Sequence, residues 1–138
     1  MDPKLELARG LLTKAQGDLE IARVLSQNTA SPGWGIGFHL QQAVAKALKS
    51  VLCAHGIPYP RTHSILALLD LLAEHGWAPP LECNPLAALT PFGTLLRYND
   101  DSDTGDADVP GDAGWPGVLS TAAGAVHWAT GMVDSIST

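Results

Sequence analysis

Four polar side chains, His39, Gln42, Lys46 and Lys49, recur within the stretch Phe38 to Leu52 at three- and four-residue steps, so a helix would align them in one row. Two ammonium groups beside an imidazole and an amide are equipped to hold an anion or an acidic partner. A helix face that only has to dissolve usually mixes both charge signs. Here no acidic residue lies between Ile36 and Leu69, in a chain whose formal net charge is -6. The plainer reading, a solvated helix face, is favoured on generic grounds. Arg97 is a second cation of interest, because it closes an apolar stretch at the edge of an acidic segment. In the last turn of a helix it complements the macrodipole, and its guanidinium fork is also suited to a phosphate or carboxylate.

Other chemistry-bearing groups fit their motifs poorly. Asp100, Asp101, Asp103, Asp106, Asp108 and Asp112 crowd the segment 99–114, which has no basic residue. Calcium takes several carboxylate oxygens, but the EF-hand register fails: from Asp101 the sixth position is Asp106 in place of glycine, and from Asp106 the twelfth is Gly117. A solvated loop is the better reading. Glycines at 33, 35 and 37 precede Phe38, with no GxGxxG, no Walker-type Lys-Ser/Thr and no preceding strand, so they mark a turn and a helix start. The histidines at 39, 55, 63, 75 and 127 form neither HExxH nor a Cys/His cluster, and neither a structural metal nor a cofactor is expected. Cys53, among Val51, Leu52 and Ala54, reads as a buried inert thiol.

The elements that would carry these groups are helical. From Pro3 to about Asn28, Leu5, Ala8, Leu12, Ala15, Leu19, Ala22 and Leu25 follow steps of three and four, with Asp2 as cap and Pro3 in the first position. After a turn containing Ser31, Pro32, Gly33 and Gly35, a second helix runs from about Trp34 or Gly35 to His55 and stops at Gly56. Its core-facing stripe is Phe38, Gln41, Ala45, Leu48 and Leu52. Thr62, His63 and Ser64 are candidate caps for a third helix carrying Ile65, Leu66, Leu68, Leu69, Leu71 and Leu72, which stops at Gly76. So much of its circumference is apolar that it belongs in the middle of a bundle or at an interface. A short fourth helix spans about Pro85 to Tyr98, and a last one, rich in Ala and Gly, runs from Trp115 to Ile136. Four long helices, one short one and no alternating strand predict an all-α, antiparallel up-and-down bundle.

At 138 residues the chain has the size of one domain, 1–138, with enough apolar residues, 46%, to build a core without disulfides or metals. Cys53 and Cys83 match no metal spacing and suit reduced thiols in a cytoplasmic protein. The N-terminus is charged from Asp2 and has no secretory h-region, and no apolar run reaches the roughly 20 residues of a bilayer span. The acidic balance argues against nonspecific nucleic-acid binding, which depends on Lys and Arg neutralising phosphates.

FHLQQAVAKALKSVL, then GIPYPRTHSILALLDLL from Gly56 to Leu72, then LTPFGTLLRY from Leu89 to Tyr98 resemble successive helices of a HEPN domain (higher eukaryotes and prokaryotes nucleotide-binding). Asp18-Leu19 with Ala22 resembles the DL..A pattern frequent in the first helix of such domains. The resemblance runs from the first helix to Tyr98 and thins beyond it. It implies a helical bundle, usually a homodimer, often paired with a minimal nucleotidyltransferase in a toxin–antitoxin-like system. It also implies a ligand-binding set of Lys46, Lys49, His63, Arg97 and Tyr98. Many relatives are metal-independent ribonucleases with an Arg-x4-6-His motif at a dimer cleft. Here Arg97 is followed by Tyr98, Asn99, Asp100, Asp101, Ser102, Asp103 and Thr104, and the next histidine is His127. The acidic loop would also repel an RNA backbone. Where relatives often have Glu before the lysine, this chain has Ala45, which would leave Lys46 or Lys49 less neutralised.

The leading expectation is therefore a noncatalytic, dimeric module binding a nucleotide, a partner nucleotidyltransferase or both. One alternative is a ribonuclease whose general base has moved to His63 or His127. Another is a structural oligomerisation domain without ligand.

Overall fold

A computed structural model describes residues 2–28, 30–62, 64–79 and 114–137. Among them are four helices and no strand: α1 (Pro3–Ser26), α2 (Gly33–Ala54), α3 (Ile65–Glu74) and α4 (Gly114–Ser137). The all-α expectation holds for these residues. The expected short helix from Pro85 to Tyr98, the acidic segment as far as residue 113, and Cys83 lie outside them.

Each helix starts and stops where local chemistry dictates. Asp2 is extended at the N-cap of α1, and its carboxylate accepts the Lys4 backbone N–H at 2.9 Å, satisfying one of the donors a helix start leaves bare. Ser64 caps α3 through its Oγ, which accepts from the Ala67 N–H at 3.2 Å, while Thr62 Oγ1 accepts from the Ser64 N–H at 2.9 Å. The helices α2 and α3 end in the same way. His55-Gly56-Ile57 and His75-Gly76-Trp77 place glycine at φ 73 and 85, where a side chain would strain. The next residue's N–H then reaches back to Leu52 O at 2.9 Å and Leu72 O at 3.1 Å. Each histidine also donates from Nδ1 to the carbonyl four residues earlier, Val51 and Leu71, at 2.9 and 3.0 Å. The Trp77 ring lies beside both imidazoles.

The helix at the centre is α2, which packs against α1, α3 and α4. Of its expected stripe, Gln41, Ala45, Leu48 and Leu52 are buried and Phe38 is partly so. Leu40, Val44, Ala47 and Val51 are buried as well, so apolar contact surrounds most of the helix. Burying each Val or Leu contributes about 1.5–3 kcal/mol over leaving it in water. From α1 come Ala8, Leu12, Ala15 and Ala22; from α4 come Val118, Ala122, Ala125, Val126, Ala129 and Val133. These small residues let three helices lie close together, and α1 also meets α4 directly, with Arg9 on Asp134 at 2.9 Å at the surface.

The sequence places α3 in the middle or at an interface, and among the described residues the middle belongs to α2. Ile65, Leu68, Leu69 and Leu72 are buried against α2, whereas Leu66 on the other side is 52% exposed. Ten residues make too short a rod to be wrapped by several partners.

Candidate functional site

The seam of α1 contains one residue that does not belong there by polarity. Ala8, Leu12, Ala15 and Ala22 are buried, and so is Asp18, between the last two. A carboxylate removed from water costs several kcal/mol unless hydrogen bonds and opposite charge replace the solvent. Both replacements come from α2. Lys46 Nζ donates to Asp18 Oδ2 at 2.6 Å, and His39 Nδ1 lies 2.9 Å from Oδ1. A carboxylate anion only accepts, so Nδ1 of His39 is the protonated ring nitrogen. Both carboxylate oxygens are thus engaged, and the edge of the His39 ring packs on Phe38 at 5.3 Å between centroids.

Lys49 lies one helical turn beyond Lys46 and is half-buried. Its ammonium is 6.0 Å from the centroid of the Tyr59 ring, over the face of an aromatic supplied by the loop after α2. Among the described residues no carboxylate pairs with it. Burial, and secondarily repulsion by Lys46, lowers the pKa of Lys49 below the ordinary 10.5. Burial also raises the Tyr59 hydroxyl, with a smaller contribution from Cys53. The Cys53 thiol is itself raised, first by burial and then by Asp2, and its Sγ lies 3.6 Å from the Lys4 carbonyl. It is a buried, inert thiol, as its neighbours in sequence imply.

Two expectations need correction. The row His39, Gln42, Lys46 and Lys49 is not a solvated face: all four residues are half-buried, because α1 lies alongside the row and Tyr59 reaches Lys49. Nor does Ala45 leave Lys46 poorly neutralised. Ala45 is buried in the core, and the neutralising carboxylate comes from Asp18 on the neighbouring helix. The inference survives only for Lys49. Of the expected ligand-binding set, Lys46 and Lys49 stand one turn apart on α2, while His63, Arg97 and Tyr98 lie outside the described residues. Asp18 and His39 are absent from that set. The signal for Asp18 is an acidic side chain at a seam position, three residues after Ala15 and four before Ala22.

This pairing of two helices through a buried acid lies within a span that a family model matches. A family model of the HEPN domain matches residues 8–110. The chain belongs to the HEPN domain family. The matched span takes in most of α1 and all of α2 and α3, and hence every group of the Asp18–His39–Lys46–Lys49 constellation. Comparison with curated proteins and with solved structures gave no significant match. Among the described residues of this HEPN domain, no group of three or more His, Cys, Asp or Glu side chains is arranged to hold a metal, and no helix is long and apolar enough to cross a membrane.

Proposed function

We propose that this HEPN domain is a binding module that holds the phosphate of a nucleotide against the polar row of α2, with Lys49 as its principal contact. The observation that carries the reading is the state of Lys49: half-buried, over an aromatic ring, and lacking a carboxylate partner among the described residues. An ammonium held in that way gains more from an arriving anion than a fully hydrated one does. Lys46 borders the same place, and His63, Arg97 and Tyr98 complete the proposed ligand set, Arg97 contributing a planar fork and Tyr98 a ring. The wider reading is a single domain, 1–138, arranged as an antiparallel up-and-down bundle. It acts in the cytoplasm as a homodimer and pairs with a minimal nucleotidyltransferase in a toxin–antitoxin-like system.

Isothermal calorimetry with AMP, ATP and GTP tests the ligand. The expected outcome is measurable heat for the native protein and a loss of affinity of about tenfold or more for Lys49→Ala, the scale of one charge-assisted contact. No heat at millimolar nucleotide would overturn the reading.

A further inference from the structure

The Asp18 carboxylate already occupies half of the cationic row, and its presence bears on the kind of phosphate ligand the row accepts. We propose that Asp18 is the specificity-determining residue of the site, an internal anion that limits the ligand to one phosphate group at Lys49 and excludes a second from Lys46. The proposal rests on the phosphate-binding reading above.

Three observations carry it. First, the Asp18 side chain is only 11% exposed and both its oxygens are engaged, Oδ2 by Lys46 Nζ at 2.6 Å and Oδ1 by His39 Nδ1 at 2.9 Å. Second, Asp18 is fixed by the packing of α1 on α2, with Ala15 and Ala22 buried on either side of it. A ligand phosphate competing for Lys46 would displace a partner that loses no translational freedom on binding, and would leave a buried carboxylate with one donor fewer. Third, Lys49 lies close enough to Lys46 to feel its charge, yet has no carboxylate partner among the described residues. Between them, the two ammonium groups and the one carboxylate carry a net charge of one. That charge is centred at Lys49 over Tyr59, which suits a single phosphate group and gives a polyphosphate no second foothold on the polar row of α2.

In chemical terms the site discriminates through a cation that is already neutralised. A nucleoside monophosphate makes the whole of the contact that the polar row offers, and the additional phosphates of a triphosphate gain nothing from Lys46. The isosteric, uncharged substitution Asp18→Asn keeps an acceptor oxygen for Lys46 but removes the competing charge, and the row gains a second unneutralised ammonium.

The test is calorimetry with AMP and ATP, without divalent metal, on the native protein, on Asp18→Asn and on Asp18→Asn combined with Lys46→Met. The native protein is expected to bind the two ligands within about threefold of each other. Asp18→Asn is expected to bind ATP about tenfold or more tightly than it binds AMP, a preference abolished by the added Lys46→Met. Thermal melts followed by circular dichroism establish that each variant is folded. A native protein that prefers ATP by tenfold or more overturns the proposal without recourse to any variant. So does a folded Asp18→Asn whose ATP-to-AMP ratio is unchanged. A native protein that binds neither ligand overturns the phosphate-binding reading itself, and that result is distinct from the other two.

Discussion

Lys49 illustrates how a single side chain couples stability to pH. Its pKa in the folded protein is lowered, by burial first and by Lys46 second, whereas in the unfolded chain it returns to the ordinary 10.5. Over the pH range between those two values the unfolded chain binds more protons, so unfolding becomes less favourable as pH rises. Below that range both states carry the proton, and the cost of holding the charge in the fold is borne in full. Thermal melts through the alkaline limb should therefore show the native protein gaining stability relative to Lys49→Met, against the loss that the raised Cys53 and Tyr59 groups bring to both. An identical pH profile for the two would show that the amine is freely hydrated.

At the scale of the element, α1 carries two glycines that nothing among the described residues explains. A Cβ built at Gly10 or Gly17 meets no atom of the described residues within 4 Å, and neither residue has the positive φ that would demand glycine. Interior glycine costs a helix about 0.5–1 kcal/mol relative to alanine, so Gly10→Ala and Gly17→Ala should each raise stability by roughly that amount in denaturant unfolding. Gly56 and Gly76 should respond oppositely, because both sit in the left-handed region as helix stops. Gly56→Ala would cost about 1–2 kcal/mol in backbone strain, and its Cβ would also press on the Lys4 ammonium at 3.2 Å, which the flexible lysine can relieve. Opposite signs for the two pairs of glycines would establish that the stops at Gly56 and Gly76 are set by backbone geometry.

For the whole molecule, the core has α2 as its axis, and the largest penalties should fall there. Leu48 is fully buried on α2, which meets the other three helices among the described residues. Leu48→Ala should cost about 2–5 kcal/mol in equilibrium unfolding, against about 5–15 kcal/mol for a domain of this kind. A cost below about 1 kcal/mol would mean that the interior closes around the cavity. Most of this architecture was legible in the residues: Asp2 and Pro3 announce the start of α1, Gly56 and Gly76 the stops of α2 and α3, and Leu48 and Leu52 the inner face of α2. Those signals are local, set by dihedral angles and by the helical period of about 3.6 residues. The site was only half legible for the complementary reason. Lys46 and Lys49 share a face of one helix, which spacing reveals, but Asp18 lies 28 residues from Lys46 and 21 from His39. Their meeting depends on how far α1 is rotated and shifted against α2, and that is decided by packing. The same gap explains why the row reads as solvated from its own residues and is half-buried once α1 is in place.

The clasp between Asp18 and the second helix also fixes the smallest piece of chain that can work as a unit. Residues from Gly33 onward contain the entire polar row, yet a fragment trimmed to begin there would lose the acid that orients Lys46 and His39. It would also bare the inner side of α2 on which Ala8, Leu12, Ala15 and Ala22 rest. The polar row of α2, grafted onto another scaffold, must therefore bring α1 with it, because Lys46 takes its partner from the helix beside it and Lys49 has none there among the described residues.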